Sequence, residues 1–127
     1  MKKDLPLNIY HLVPIHVYEK SINRKGNYNC RGFENSNFIH TTSNLKELKK
    51  VADILFTKSI KPNNTKLAGK FYEPPTVKFL LLKINPKKVT ARIGFVKPCY
   101  YHIYGSIQKK AYTVKNIKRD KQGRFFL

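Results

Sequence analysis

Val77-Lys78-Phe79-Leu80-Leu81-Leu82-Lys83-Ile84, followed at once by Asn85-Pro86, is the stretch whose reading decides the fold. It is short for a helix and closed by a turn dipeptide. Its run of apolar residues, ended by that dipeptide, makes it the clearest strand in the chain. The run at 79–82, resuming at Ile84 after Lys83, is the longest apolar run in the chain. It falls far short of the roughly 20 residues that a membrane helix needs. Further strands are expected before and after it in the chain.

Upstream, Ile9-Tyr10-His11-Leu12-Val13 is a short apolar run stopped by Pro14, as in an interior strand. Pro14 fits the start of a helix with Ile15, Tyr18 and Ile22 at helical spacing and Gly26 as its stop. Phe38-Ile39-His40-Thr41 reads as a second strand, and Thr42-Ser43-Asn44 supplies cap residues for a helix carrying Leu45, Leu48, Val51, Ala52 and Leu55. With Asn44 as N-cap, Glu47 falls at the third helical position and predicts a capping box. Downstream, strands are expected at 89–96, over Tyr100-Tyr101-His102-Ile103-Tyr104, and at 111–117. Strands dominate, with two helices early, so the expected class is α+β.

The 127 residues suit a single domain, 1–127, with no repeat and no interdomain linker. Within it, 57–76 is polar and holds Pro62, Asn63, Asn64, Gly69 and Pro74-Pro75. It is expected to be a flexible insertion, exposed and mobile, carrying Lys58, Lys61, Lys66 and Lys70 near a pocket mouth. The start, Met1-Lys2-Lys3-Asp4-Leu5-Pro6, has no apolar segment of the kind that directs export. Cys30 and Cys99 are isolated, without Cys-x-x-Cys spacing, and read as reduced thiols. A cytoplasmic location is the expectation.

Lysine and arginine total 26 against seven acids, a net charge of +19. Such a surface favours polyanions, and nucleic acid is the partner class it suggests. The basic residues are spread along the whole chain, which equally suits a solvated lysine coat. The candidates for a nucleic-acid face are Lys46 and Lys50, four apart on one helix face, with Lys97, Lys109 and Lys110 around the penultimate strand.

No P-loop, Gly-x-Gly-x-x-Gly, Gly-x-Ser-x-Gly or His-Glu-x-x-His pattern occurs. With four histidines, scattered acids and unpaired thiols, no metal is expected. What remains is three histidines in strands. His11 shares a strand face with Ile9 and Val13, His40 with Phe38, and His102 with Tyr100 and Tyr104. Each singly suits a satisfied core imidazole. Together with nearby hydroxyls and rings they suit a cleft for a nucleotide.

Ile9-Tyr10-His11, then Phe38-Ile39-His40-Thr41-Thr42-Ser43, then His102-Ile103-Tyr104-Gly105 resemble in order and spacing the three signature blocks of the bacterial family called domain of unknown function 952. Leu81-Leu82 with Ile84, and the ending Arg119-Asp120 to Gly123-x-Phe125, match as well. Asn37 stands in the family's glycine place, Thr41 in its cysteine place, and 89–98 lacks the acid often found before the third block. The resemblance implies an ADP-ribosyltransferase-like fold with a strongly bent or split sheet, similar to the RNA 2′-phosphotransferase branch. It implies NAD as cofactor, held by His11 and His40 as the catalytic pair. Thr42 and Ser43 would be hydroxyl partners, with His102 and Tyr104 as the far wall of one shared cleft. The missing acid argues for a nucleic-acid acceptor over a protein one. Two other readings stand beside this one: a non-catalytic RNA- or nucleotide-binding module with structural histidines, and a plain interaction domain with a lysine coat.

Overall fold

The computed structural model describes residues 5–29, 38–57 and 69–127. Its elements are β1 (Ile9–Pro14), α1 (Ile15–Ser21), β2 (Ile39–Thr42), α2 (Leu45–Phe56), β3 (Phe79–Ile84), β4 (Arg92–Lys97), β5 (Tyr100–Tyr104) and β6 (Tyr112–Ile117). Among the described residues the strands form one six-stranded sheet in the order β4-β5-β2-β1-β3-β6, with every pair antiparallel. The class is α+β.

β3 is the buried interior strand its apolar run demands, with only Lys83 exposed. It pairs β1 from Ile9↔Ile84 to Pro14↔Phe79 and β6 from Phe79↔Ile117 to Ile84↔Tyr112. Alternation then sorts the core into two layers. Ile9, Val13, Leu80, Leu82 and Ile84 meet Tyr28, Ile39, Ile103 and Ile107 beneath α1, on the side named the Tyr28 face. Leu12, Phe79, Leu81 and Ile117 meet Ala52 and Phe56 of α2 and Phe125, on the α2 face. Each fully buried Leu, Ile or Phe among them contributes about 1.5–3 kcal/mol.

The α2 face is closed by Arg119. Its guanidinium donates to the carbonyls of Glu73, Pro74, Val77 and Gly123 and lies 4.8 and 4.7 Å from the ring centres of Phe79 and Phe125. Gly123 has φ +90°, and a Cβ there would stand 2.8 Å from Arg119 Nη2, so the turn needs glycine. The motif Arg119-Asp120 to Gly123-x-Phe125 is therefore a structural clasp.

Several local expectations are modified. Asn44 caps α2 as read, its Oδ1 accepting from the Lys46 and Glu47 amides. The box is not completed: the Asn44 N–H goes to Thr42 Oγ1, and Glu47 instead accepts from the Tyr100 hydroxyl. The strand expected at 89–96 begins only at Arg92, because Pro86–Lys88 forms a 3₁₀ turn capped by the buried Val89. Of the expected loop, 58–68 lies outside the described residues. Residues 69–76 are docked onto the end of α2, the Gly69, Phe71 and Glu73 amides donating to the Ile54, Leu55 and Phe56 carbonyls. No helix among the described residues is long and apolar enough to cross a membrane.

The sheet is weakly joined at its middle. β1 and β2 share one registered pair, Tyr10↔Thr42, whereas β1 and β3 share six. Beyond that pair a side chain takes over, with His11 reaching the His40 carbonyl.

Candidate functional site

His11 is 6% exposed and lies on the Tyr28 face. Its Nδ1 is 2.7 Å from the His40 carbonyl oxygen, which can only accept, so Nδ1 carries the proton. Nε2 is then the acceptor, and the Tyr28 hydroxyl donates to it at 2.7 Å. Both ring nitrogens are thus satisfied inside the core. Burial outweighs the His40 hydrogen bond and pushes the pKa down from 6.5 to about 4, so the ring is neutral at physiological pH. Around it, Tyr28 stacks on Tyr18, the Tyr18 and Tyr112 hydroxyls meet at 3.1 Å, and Tyr112 donates to the Gly26 carbonyl. This polar network runs from the buried His11 and Tyr28 to the partly buried edge of the core.

His40 lies on the other side of the sheet. Tyr10 pairs Thr42, so Thr42 and His40 share the α2 face with Tyr10, opposite to His11. The shared His11–His40 cleft expected from the sequence is therefore not formed, since pleating sends the two rings to opposite faces. What His40 does share is its own register partner: His40↔His102 and Thr42↔Tyr100 pair across β2 and β5.

The result is a group of rings on the part of the α2 face that the helix leaves open. Phe38 stacks on His102 with centres 3.6 Å apart and planes at 14°. His40 stands at 85° to His102, centres 5.2 Å apart. Tyr104 places its hydroxyl 3.4 Å from His102 Nδ1, and the Arg92 guanidinium lies 4.0 Å from the Tyr104 ring centre. Gly94, opposite His102 in β4, makes this possible: a Cβ there would come within 3.0 Å of the Tyr104 ring. His40 and Tyr104 are exposed, and Phe38 and His102 are partly buried. Burial and the neighbouring His40 charge both lower the His102 pKa.

Further along the face, Lys97 lies 4.9 Å from the Tyr100 ring centre. The Tyr100 hydroxyl bonds Glu47 in the first turn of α2, where Lys46 and, one turn on, Lys50 are exposed. Burial and the Glu47 carboxylate push the Tyr100 pKa up. Lys109 and Lys110 lie elsewhere, in a 3₁₀ turn fastened to Asn27 beside the Tyr28 face. Thr42 is buried and spends its hydroxyl on the Asn44 amide, while the Ser43 amide binds the Cys99 carbonyl. The buried Thr42 hydroxyl is therefore used within the turn into α2. Among the described residues no group of three or more His, Cys, Asp or Glu could hold a metal.

Sequence reasoning misses Arg92 and Gly94 as site residues because only the β4–β5 register brings them to Tyr104 and His102; it groups Phe38 with His40, and the β2–β5 register adds His102. Tyr28 gives no periodic signal within Asn27-Tyr28-Asn29.

No family model matches the chain, and no curated protein does. Two solved structures of the protein CC0527 from Caulobacter crescentus, one of them a double mutant, are similar in fold. Their TM-scores are 0.58 and 0.57, at 13% identity, with 94% of this chain and 94% of each of theirs covered. The likeness extends over the whole architecture and concerns the fold alone.

Proposed function

We propose that this chain is a nucleotide- and nucleic-acid-binding module whose ligand bases stack on the open ring surface of β2, β5 and β4. The observation that carries the reading is the stacked pair Phe38–His102, set beside the Arg92–Tyr104 cation stack on one sheet face. Aromatic and guanidinium planes accept any base by its π-face, each such stack contributing about 1–3 kcal/mol. Phosphates would meet Arg92, Lys97 and Lys46 on a chain of net charge +19. Both imidazoles and both aromatic rings serve the ligand here, while His11 serves the core.

The test is fluorescence anisotropy with a labelled single-stranded DNA oligonucleotide, titrated over a salt series. Tyr104→Ala and Arg92→Ala are expected to weaken binding about tenfold each, one stack's worth. Unchanged affinity in both variants would remove the reading. A thermal-shift series with NAD and ADP-ribose runs beside it. Stabilisation by either, lost in His40→Ala, would return the ADP-ribosyltransferase-like reading to first place.

A further inference from the structure

We propose that His40 and His102 act as a general acid–base pair that cleaves single-stranded RNA by transferring its phosphodiester onto the neighbouring ribose 2′-hydroxyl. This rests on the binding reading above and adds a reaction to it.

Three features of the pair support the assignment. Its geometry is set by the backbone: the two residues are directly opposed on β2 and β5, side chains on one face, ring centres 5.2 Å apart. One partner is braced. Phe38 covers a face of His102 at 3.6 Å, and the Tyr104 hydroxyl touches Nδ1, so Nε2 is the nitrogen assigned to the substrate. The surroundings are cationic, with Arg92 held over Tyr104 two residues before Gly94, the register partner of His102. Attack and departure in such a reaction occur at two oxygens of one phosphorus, and each imidazole must come within about 3 Å of its oxygen. Two adjacent rings, His40 exposed and His102 partly exposed, meet that need, and a base stacked on the adjoining rings fixes the ribose.

The step balances without a further reagent. Neutral His102 takes the proton of the 2′-hydroxyl as that oxygen bonds to phosphorus. The bond from phosphorus to the 5′-oxygen breaks, and protonated His40 gives its proton to the departing oxygen. The products are a 2′,3′-cyclic phosphate and a 5′-hydroxyl. The roles are divided by placement: His102 is braced by Phe38 and partly buried, which favours its neutral form, and His40 is the exposed partner. Arg92 stabilises the charge gathering on the non-bridging oxygens. RNA is the substrate class because the nucleophile is its own hydroxyl.

The experiment uses the full chain with an end-labelled RNA oligonucleotide and the same oligonucleotide built entirely of 2′-deoxynucleotides. Wild-type protein is expected to cleave the RNA, leave 2′,3′-cyclic phosphate ends, and bind the DNA intact. His40→Ala and His102→Ala, purified in parallel and checked for folding by circular dichroism, should each lose about a hundredfold or more in cleavage rate. RNA left intact by wild-type protein that still binds the DNA would overturn the acid–base pair and leave the binding reading standing. Cleavage persisting unchanged in the double variant would overturn it as well. Failure to bind either strand would overturn the binding reading itself, and this one with it.

Discussion

His11 and His102 sit in strands of one sheet and are both hydrogen-bonded to tyrosine, yet the sheet uses them in opposite ways. His11 has the Tyr28 hydroxyl at 2.7 Å on one nitrogen and a backbone carbonyl on the other, under α1 and a ring of tyrosines. His102 has a long 3.4 Å contact on one nitrogen and a stacked phenyl ring, at a surface that His40 and Tyr104 leave open. A saturated imidazole in the core fixes structure. An imidazole with an unspent nitrogen at a surface is available for chemistry.

The sharpest way to break this contrast is by stability. His11→Ala strips a buried partner from both the Tyr28 hydroxyl and the His40 carbonyl and leaves a cavity, for an expected loss of about 4 kcal/mol. His40→Ala and His102→Ala should each cost under about 1 kcal/mol. Urea denaturation monitored by circular dichroism measures all three, and equal costs would end the distinction.

Acid titration comes next in size. The folded-state pKa of His11 is depressed from 6.5 to about 4. Above pH 6.5 the ring is neutral folded or unfolded and contributes no pH dependence. Between pH 6.5 and 4 the unfolded chain takes up a proton that the folded chain refuses, so stability falls by up to about 3 kcal/mol. His11→Gln, whose amide can donate to the carbonyl and accept from Tyr28, should lack this fall. A wild-type stability flat across that window would mean that His11 is not desolvated.

The smallest effect concerns charge. Lys46→Ala with Lys97→Ala should reduce the slope of log affinity against log salt by roughly 1–2, near one for each phosphate that is no longer neutralised. Lys109→Ala with Lys110→Ala, beside the other face, should leave the slope unchanged. Equal changes from the two pairs would show that the positive charge acts as a diffuse coat.

The sequence resolves the strands and their faces better than the arrangement between strands. β3 is legible because a strand covered on both sides must be apolar at nearly every position. Period-two alternation also places Tyr100, His102 and Tyr104 on one face of β5, and His40 of β2 on one face with Phe38 just before it. Alternation is blind to which face of one strand continues which face of the next, and that register decides the fate of His11. The same blindness hides Arg92, which reaches Tyr104 only by pairing, and Glu47, whose expected return to its own cap is displaced by Thr42. Tyr28 is invisible for another reason: a lone ring in a polar turn shows no period, and its burial is entirely a tertiary matter.

The single registered pair between β1 and β2 has a mechanical meaning. It divides the sheet into two three-stranded leaves, β4-β5-β2 and β1-β3-β6, each stitched more densely within than to the other. Such a seam is a line of few backbone bonds. The two leaves stay joined through their side chains, Ile39 and Ile103 of one packing with Ile9, Val13 and Leu82 of the other. The bond from His11 to the His40 carbonyl crosses that line, from the buried layer of one leaf to the backbone under the rings of the other. An imidazole buried in one leaf thus ties down the backbone beneath the exposed rings of the other.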